Sequence, residues 1–442
     1  MTYMAENQIK IPKRILSSLI SSLTAGVVPR VGAPYIAIGR TDEVASLCGG
    51  LETVSEGGAF ARFVVGKYGS GKSFLIQLIR GYACERGFVC ADADLSPERR
   101  LASSGGGGCA TYRELIKNLS TKSSDGGALG QIISRWLSDL QMQTAEEGIS
   151  PEDSLFNAEV SKKIYTHLRK IRGNIGAFDF SRVIGEYYRG YTEDSDELCE
   201  KCMRWLCGEY KTKTEARADL GVSGIISDDN WYEYIKLLAA FVREIGYKGL
   251  IIFIDECVNL YKIPNRVSRE NNYEKILAIY NDTMQGKAEG LGVIFAGTPQ
   301  FLEDSRRGLY SYEALRSRLS DSVFACSKDF AGISPGSPVI RLPQLSDDEL
   351  LALLARITVL YGQLYGELSV TPEDMKAFLY KMMSRVGAQS NLTPRELIRS
   401  YLTFLGILAS NPDARPSDVL GDVPVPESEK PSNDLDPDSI EI

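Results

Sequence analysis

A chain of 442 residues, 43% hydrophobic and 24% charged, has room for two or three substructures and the composition of a globular protein. Its net charge of −8 excludes a broad cationic surface, so any contact with nucleic acid needs a local patch or channel. No apolar run approaches the ~20 residues of a membrane span. Residues 1–13 lack a signal core, and nine scattered cysteines fit reduced thiols. Together these predict a cytoplasmic chain with no membrane association.

Ile11, Ile15, Leu16, Leu19, Ile20 and Leu23 recur at helical spacing, and Gly26 and Pro29 end that run. A Gly39-Arg40-x-x-Glu43 pattern follows. Two readings stand for it. It resembles a motif near the nucleotide in AAA+ and signalling ATPases, which would make Arg40 a cofactor-binding residue. It also fits a solvated turn in which Thr41 caps the next helix.

Phe63-Val64-Val65 then leads into Gly66-Lys67-Tyr68-Gly69-Ser70-Gly71-Lys72-Ser73-Phe74. A short β-branched run, a glycine-rich turn and an immediate helical pattern match the phosphate-cradling loop G-x-x-x-x-G-K-[ST]. Glycines let the backbone wrap a polyphosphate with its N–H groups inward, and the following helix adds its positive end. Residues 66–74 are therefore the expected ATP contacts. Lys72 would meet the β- and γ-phosphates, and the Ser73 hydroxyl would ligate Mg²⁺.

A second strand is expected at 88–93, and a glycine-rich loop at 103–108. Residues 111–246 read as almost wholly helical. Within them Cys199, Cys202 and Cys207 resemble half a zinc site, yet no second pair follows and the single histidine, His167, lies upstream; helix packing is the other reading. Lys162, Lys163, Arg169, Lys170 and Arg172 form a basic segment that either meets phosphate or is a solvated face.

Leu250-Ile251-Ile252-Phe253-Ile254 is a continuous apolar run, the pattern of a strand buried on both faces of a parallel sheet. It ends in Asp255-Glu256, where open α/β sheets bind ligands. Asp255 would help hold Mg²⁺. Glu256 would act as general base on the attacking water. A strand at 291–297 ends in Thr298, and a short last strand is expected at 339–342. Capping patterns at Ser346/Glu349, Thr371-Pro372 and Thr393/Glu396 open three further helices. Beyond residue 411 prolines and acids dominate, which predicts disorder.

A phosphate loop, an acid strand and C-terminal helices resemble an AAA+ ATPase near the origin-recognition and STAND branches. That resemblance implies an α/β P-loop core with parallel sheet order 5-1-4-3-2. It implies a segmentation into an N-terminal helix (1–30), core (31–110), helical insertion (111–246), core (247–342), helical lid (343–411) and disordered acidic tail (412–442). Thr298 would then take the sensor 1 role or simply terminate its strand. Arg395 would be sensor 2. Arg318, chosen narrowly over Arg316, would be an arginine finger offered to a neighbouring subunit of a homo-oligomer; a surface arginine is the other reading.

A narrower resemblance covers most of the chain. Gly26-Val27-Val28-Pro29-Arg30, the phosphate loop, Asp94-Leu95-Ser96-Pro97, the stretch from Asp255 to Lys262, Gly297-Thr298-Pro299 and Thr393-Pro394-Arg395-Glu396 look like the BrxC/BrxD P-loop family, of the BrxD-like kind, from BREX phage-defence systems. The resemblance implies a Mg²⁺-dependent ATPase with other defence-system proteins as partners and DNA as a further partner. A STAND-type signalling switch and an ATP-bound scaffold with little hydrolysis remain the alternatives.

Overall fold

The computed structural model describes residues 11–320, 336–384 and 392–421. In chain order its elements begin α1 (Lys13–Thr24), α2 (Thr41–Ser55), β1 (Phe60–Gly66), α3 (Lys72–Glu85), β2 (Val89–Asp94), α4 (Gly107–Lys117) and α5 (Leu129–Glu146). They continue α6 (Phe156–Lys170), α7 (Ala177–Thr192), α8 (Asp196–Leu206), α9 (Lys213–Leu220), α10 (Trp231–Glu244), β3 (Leu250–Asp255), α11 (Val258–Tyr261) and α12 (Arg266–Met284). Next come β4 (Leu291–Gly297), α13 (Pro299–Glu303), α14 (Glu313–Leu319), β5 (Val339–Leu342), α15 (Asp347–Tyr365) and α16 (Pro372–Met383). The last two are α17 (Pro394–Ser410) and α18 (Pro416–Leu420). The chain divides into two units: Arg40–Gln344, and a smaller one formed by the residues up to Gly39 and from Leu345 onward.

In the larger unit five parallel strands lie in the order β2-β3-β4-β1-β5. This is the expected order, with β4 between the phosphate-loop strand and the acid strand. Val65 pairs with Gly297, Ile254 with Phe295 and Asp94 with Asp255, so the carboxyl ends of four strands share one edge. Strand alternation sends Val64, Cys90, Ile251, Phe253 and Ile294 to one face, against Leu47 and Leu51 of α2 and Leu75 and Ile79 of α3. Phe63, Ala91, Ile252, Val293 and Phe295 face the other side. There Phe63 and Phe295 stack at 5.0 Å, a pairing that contributes about 0.5–1.5 kcal/mol beyond its buried area.

The helices of 111–246 share that second core with the sheet. Trp136 and Phe180 both meet Phe241 of α10 edge-on, at 5.4 and 5.2 Å. The cysteine trio sits where α8 packs on α7. Cys202 is buried, and burial pushes its thiol up to about 12. Burial raises Cys207 to about 11, and the Cys199 thiol donates to the Tyr187 carbonyl at 3.7 Å.

In the smaller unit α1 buries Leu16, Leu19, Ile20 and Leu23 and packs on α15 and α17. The capping boxes expected at Ser346/Glu349 and Thr393/Glu396 form, and Thr371 makes one with Asp374. Each satisfies orphan N–H groups of a first turn. The expected disorder from residue 412 is corrected at α18, where Leu420 is buried and the Arg415 N–H donates to Asp418 at 2.9 Å. Buried Leu420 and the Lys381 side chain of α16, which donates to the Leu420 carbonyl, hold that short helix against α16, an arrangement the acidic composition around it obscured. The rest of the expected tail, 422–442, lies outside the described residues.

Candidate functional site

The loop between β1 and α3 is shaped by its glycines. Gly66 ends β1, and a Cβ there would lie 3.0 Å from the Leu342 carbonyl. Gly69 and Gly71 have φ of +79° and +91°, a region that costs other residues about 1–2 kcal/mol. Tyr68 stands at the exposed tip with Lys67, while Ser70 is buried beneath the loop. Lys72 opens α3, and its Nζ donates to the carbonyls of Gly66 (2.9 Å) and Lys67 (3.0 Å). Burial lowers its pKa, and the nearby Asp255 and Glu256 oppose that shift. Phe74, the next residue but one, is half-buried on α3.

Across the sheet edge, the Ser73 hydroxyl donates to Asp255 Oδ2 at 2.9 Å. Two residues 182 positions apart in the chain therefore meet. Asp255 Oδ1 accepts the N–H of Glu256 at 2.7 Å. Glu256 is exposed and has φ of +54°, one of two non-glycine residues with positive φ among those described. Such a left-handed residue is held against a cost of about 1–3 kcal/mol by its surroundings. Here the Cys257 N–H bonds the Ala296 carbonyl of β4 at 3.0 Å and the Asn259 N–H bonds the Glu256 carbonyl at 2.9 Å.

A hydroxyl and a carboxylate side by side form an oxygen donor pair suited to a hard divalent cation. The positive-φ glycines make a backbone nest suited to phosphate, with an ammonium beside it. The residues present thus fit a Mg²⁺–nucleotide pair.

The family described as BREX system ATP-binding protein BrxC/D matches residues 11–423. The chain belongs to this family. Comparison with curated proteins gives no match. Several stretches through which the sequence resembles the BrxC/D family meet in the fold. The Asn259 amide donates to the Leu95 carbonyl at 2.7 Å, and the Leu95 N–H donates to the Asp255 carbonyl at 3.0 Å. In the smaller unit a Cβ on Gly26 would touch the Arg395 side chain at 3.7 Å, so the Gly26 and Thr393 stretches are neighbours.

Arg40 corrects one of the two readings of its motif. Thr41 and Asp42 are exposed but Arg40 is turned inward and only 6% exposed, and Thr41 does not cap α2: Arg40 itself holds the N-cap position. Its guanidinium bonds the Ser70 carbonyl of the phosphate loop (3.0 Å), the Pro343 carbonyl (2.8 Å) and Glu43 (3.3 Å). The Gly-Arg-x-x-Glu spacing is an i,i+3 ion pair turned inward, which sequence polarity alone does not reveal.

Asp94 was not singled out by the sequence as a site residue. It ends β2 opposite Asp255, and its pKa is raised by partial burial and by Asp255, Asp92 and Glu256. A polar residue at the carboxyl end of a parallel strand, opening Asp94-Leu95-Ser96-Pro97, was the available signal.

Thr298 ends the run from β4 and is half-buried; its hydroxyl accepts the Phe301 N–H at 3.4 Å and so caps α13. Arg316 and Arg318 are exposed on α14. Arg318 is tethered to Asn281 (3.0 Å) and to the Ala314 carbonyl (2.7 Å). Arg395 lies in the first turn of α17, in the smaller unit. On α6, Lys162 pairs with Glu159, Lys163 with Glu147 and Lys170 with Glu244. No helix among the described residues is long and apolar enough to cross a membrane.

Proposed function

We propose that the chain is a Mg²⁺-dependent ATPase of AAA+-like build that works in the cytoplasm within a BREX defence assembly. The observation that carries this reading is the 2.9 Å approach of Ser73 to Asp255, with Glu256 next in the chain. Bound Mg²⁺, held by Ser73 and Asp255, would neutralise charge on the β- and γ-phosphates. The loop N–H groups and Lys72 bind and orient the polyphosphate. Glu256 accepts a proton from the attacking water, and its exposed position just beyond the end of β3 supports that role. Thr298 orients the water or the γ-phosphate, its hydroxyl proton remaining free to donate while its oxygen caps α13.

In this reading the smaller unit's helices serve as the lid, with Arg395 as sensor 2, and Arg318 is offered to a neighbouring copy in a homo-oligomer. Other defence-system proteins are partners, and DNA is reached directly or through them. The ion pairs along α6 favour the indirect route, since three of the five cations of the 162–172 segment already have acidic neighbours. The test is ATP turnover by the full chain with Mg²⁺, with chelator, with DNA and with neighbouring gene products. Mg²⁺-dependent phosphate release supports the reading. ATP binding with no turnover under any of these conditions would replace it with an ATP-bound scaffold.

A further inference from the structure

The chain passes between its two units twice, at Gly39–Arg40 and at Gln344–Leu345. On the larger unit's side one buried guanidinium joins both crossings to the phosphate loop. Arg40 is the first residue of that unit, and its Nη2 donates to the Ser70 carbonyl (3.0 Å) and to the Pro343 carbonyl (2.8 Å), the latter one residue before the second crossing begins. Nη1 is held by Glu43 at 3.3 Å, and both members of this pair are less than a tenth exposed. On the smaller unit's side Gly39 has φ of +66°, and a Cβ there would overlap the Glu349 carboxylate. That carboxylate is already committed to the Ser346 N–H at 2.7 Å, at the start of α15. The two crossings are thus held together within each unit.

A buried ion pair stabilises a fold little compared with apolar residues of the same volume. What arginine supplies, and an apolar residue does not, is a planar set of donors in fixed directions. Because one nitrogen carries both carbonyl bonds, the Ser70 peptide cannot shift without altering the bond to Pro343. The Ser70 carbonyl belongs to the same peptide as the Gly71 N–H, one of the groups of the phosphate nest.

We propose that Arg40 is a positioning residue that couples the phosphate loop to both chain crossings, so that a nucleotide bound at the loop restrains the segments entering and leaving the smaller unit. The proposal rests on the loop being a nucleotide site. Arg40 makes no contact with phosphate in this scheme; it acts through the Ser70 and Pro343 carbonyls.

The experiment is amide hydrogen exchange on the full chain with and without ATP and Mg²⁺, read at residues 36–40 and 343–349, alongside the ATP Kd. Three proteins are compared: wild type, Arg40→Lys, and Arg40→Met with Glu43→Leu. The double variant removes both buried charges and so guards against misfolding. In wild type ATP slows exchange at both segments. In the variants the Kd stays within about tenfold of wild type, the range of one or two hydrogen bonds, while the ATP-dependent slowing is lost. A purely structural role would shift exchange equally with and without ATP. Variants that keep the wild-type ATP-dependent slowing overturn the coupling, as does a wild type that binds ATP with no change at these segments. A wild type that binds no ATP overturns the nucleotide reading itself, and the coupling with it.

Discussion

Along α6, Lys162, Lys163 and Lys170 each face a glutamate, and Glu244 takes His167 as well at 2.7 Å. At the carboxyl edge of the sheet, Asp94, Asp255 and Glu256 crowd one another, and Lys72 turns to backbone carbonyls. Both regions are rich in charge. The first is locally neutralised, as a solvated helical face is. The second keeps like charges close and one backbone in a strained region, a combination that a fold tolerates where a ligand resolves it. Clustering alone therefore says little about function; whether each charge already has a partner says more.

The largest effect is expected where a further charge is brought to the sheet edge from outside. An arginine finger in trans is worth about 10³–10⁵ in rate. If Arg318 is that finger, turnover per chain rises with protein concentration, and Arg318→Ala abolishes the rise without weakening ATP binding. Mixing Arg318→Ala with Lys72→Ala should restore part of the activity, since the second chain lends its arginine to the first. No recovery, with a monomeric mass under ATP, leaves Arg318 bound to Asn281 as a surface residue. Running Arg316→Ala in parallel decides between the two arginines.

Glu256→Gln should keep ATP binding and reduce turnover by about 10²–10⁴-fold, the range of a positioned general base. Wild-type turnover in this variant would remove Glu256 from the chemistry. Lys72→Ala should weaken ATP binding by about 2–5 kcal/mol, as when one partner of a buried charge contact is cut away; titration calorimetry gives the value directly. Because burial depresses the Lys72 pKa, ATP affinity should begin to fall at a lower pH than an ordinary lysine predicts, with proton uptake on binding in that range.

Asp94→Asn gives a smaller effect with a definite sign. Its folded-state pKa is raised, so the folded chain holds that proton to higher pH than the unfolded chain does. The cost of ionising it is absent below the unfolded value of about 3.9 and is complete once the pH passes the folded value. The variant should therefore raise Tm at neutral pH, and the gain should shrink as pH falls toward that lower limit. An unchanged Tm difference across pH would mean the carboxylates do not strain the edge. The smallest effect is expected on α6. Replacing Lys162, Lys163, Arg169 and Lys170 should change stability by at most about 1 kcal/mol per exposed pair and leave the salt dependence of any DNA binding unaltered. A flattened salt slope would make α6 a phosphate-binding face after all.

Much of this comparison was legible in the sequence where the signal is local. The apolar runs ending in Gly66 and Asp255 state their own burial, and the crossover rules of parallel sheets then leave few strand orders. Capping boxes at Ser346 and Thr393 are readable because both partners lie within one turn. What the sequence hid is long-range. The partners of Lys163 and Lys170 are Glu147 and Glu244, on other stretches of chain. In sequence Arg40 fits a motif near the nucleotide and a polar turn equally well, until Ser70 and Pro343 are brought to it. Asp94 is placed beside Asp255 by strand pairing, which its position at the end of an expected strand does not by itself reveal.

The interrupted smaller unit has a consequence for synthesis. Helix α1, with Leu16, Leu19, Ile20 and Leu23 on one face, leaves the ribosome well before α15 and α17, against which that face is buried and which are made only after the whole larger unit. At about 5–20 residues per second, the wait is on the order of tens of seconds. The larger unit is complete within that interval and is expected to fold ahead of the unit that surrounds it in sequence. Nascent chains long enough for Gln344 to have cleared the ribosome, with α17 still inside it, should therefore resist protease across the sheet while remaining cleavable at α1, and protection of α1 should appear only once α17 has emerged.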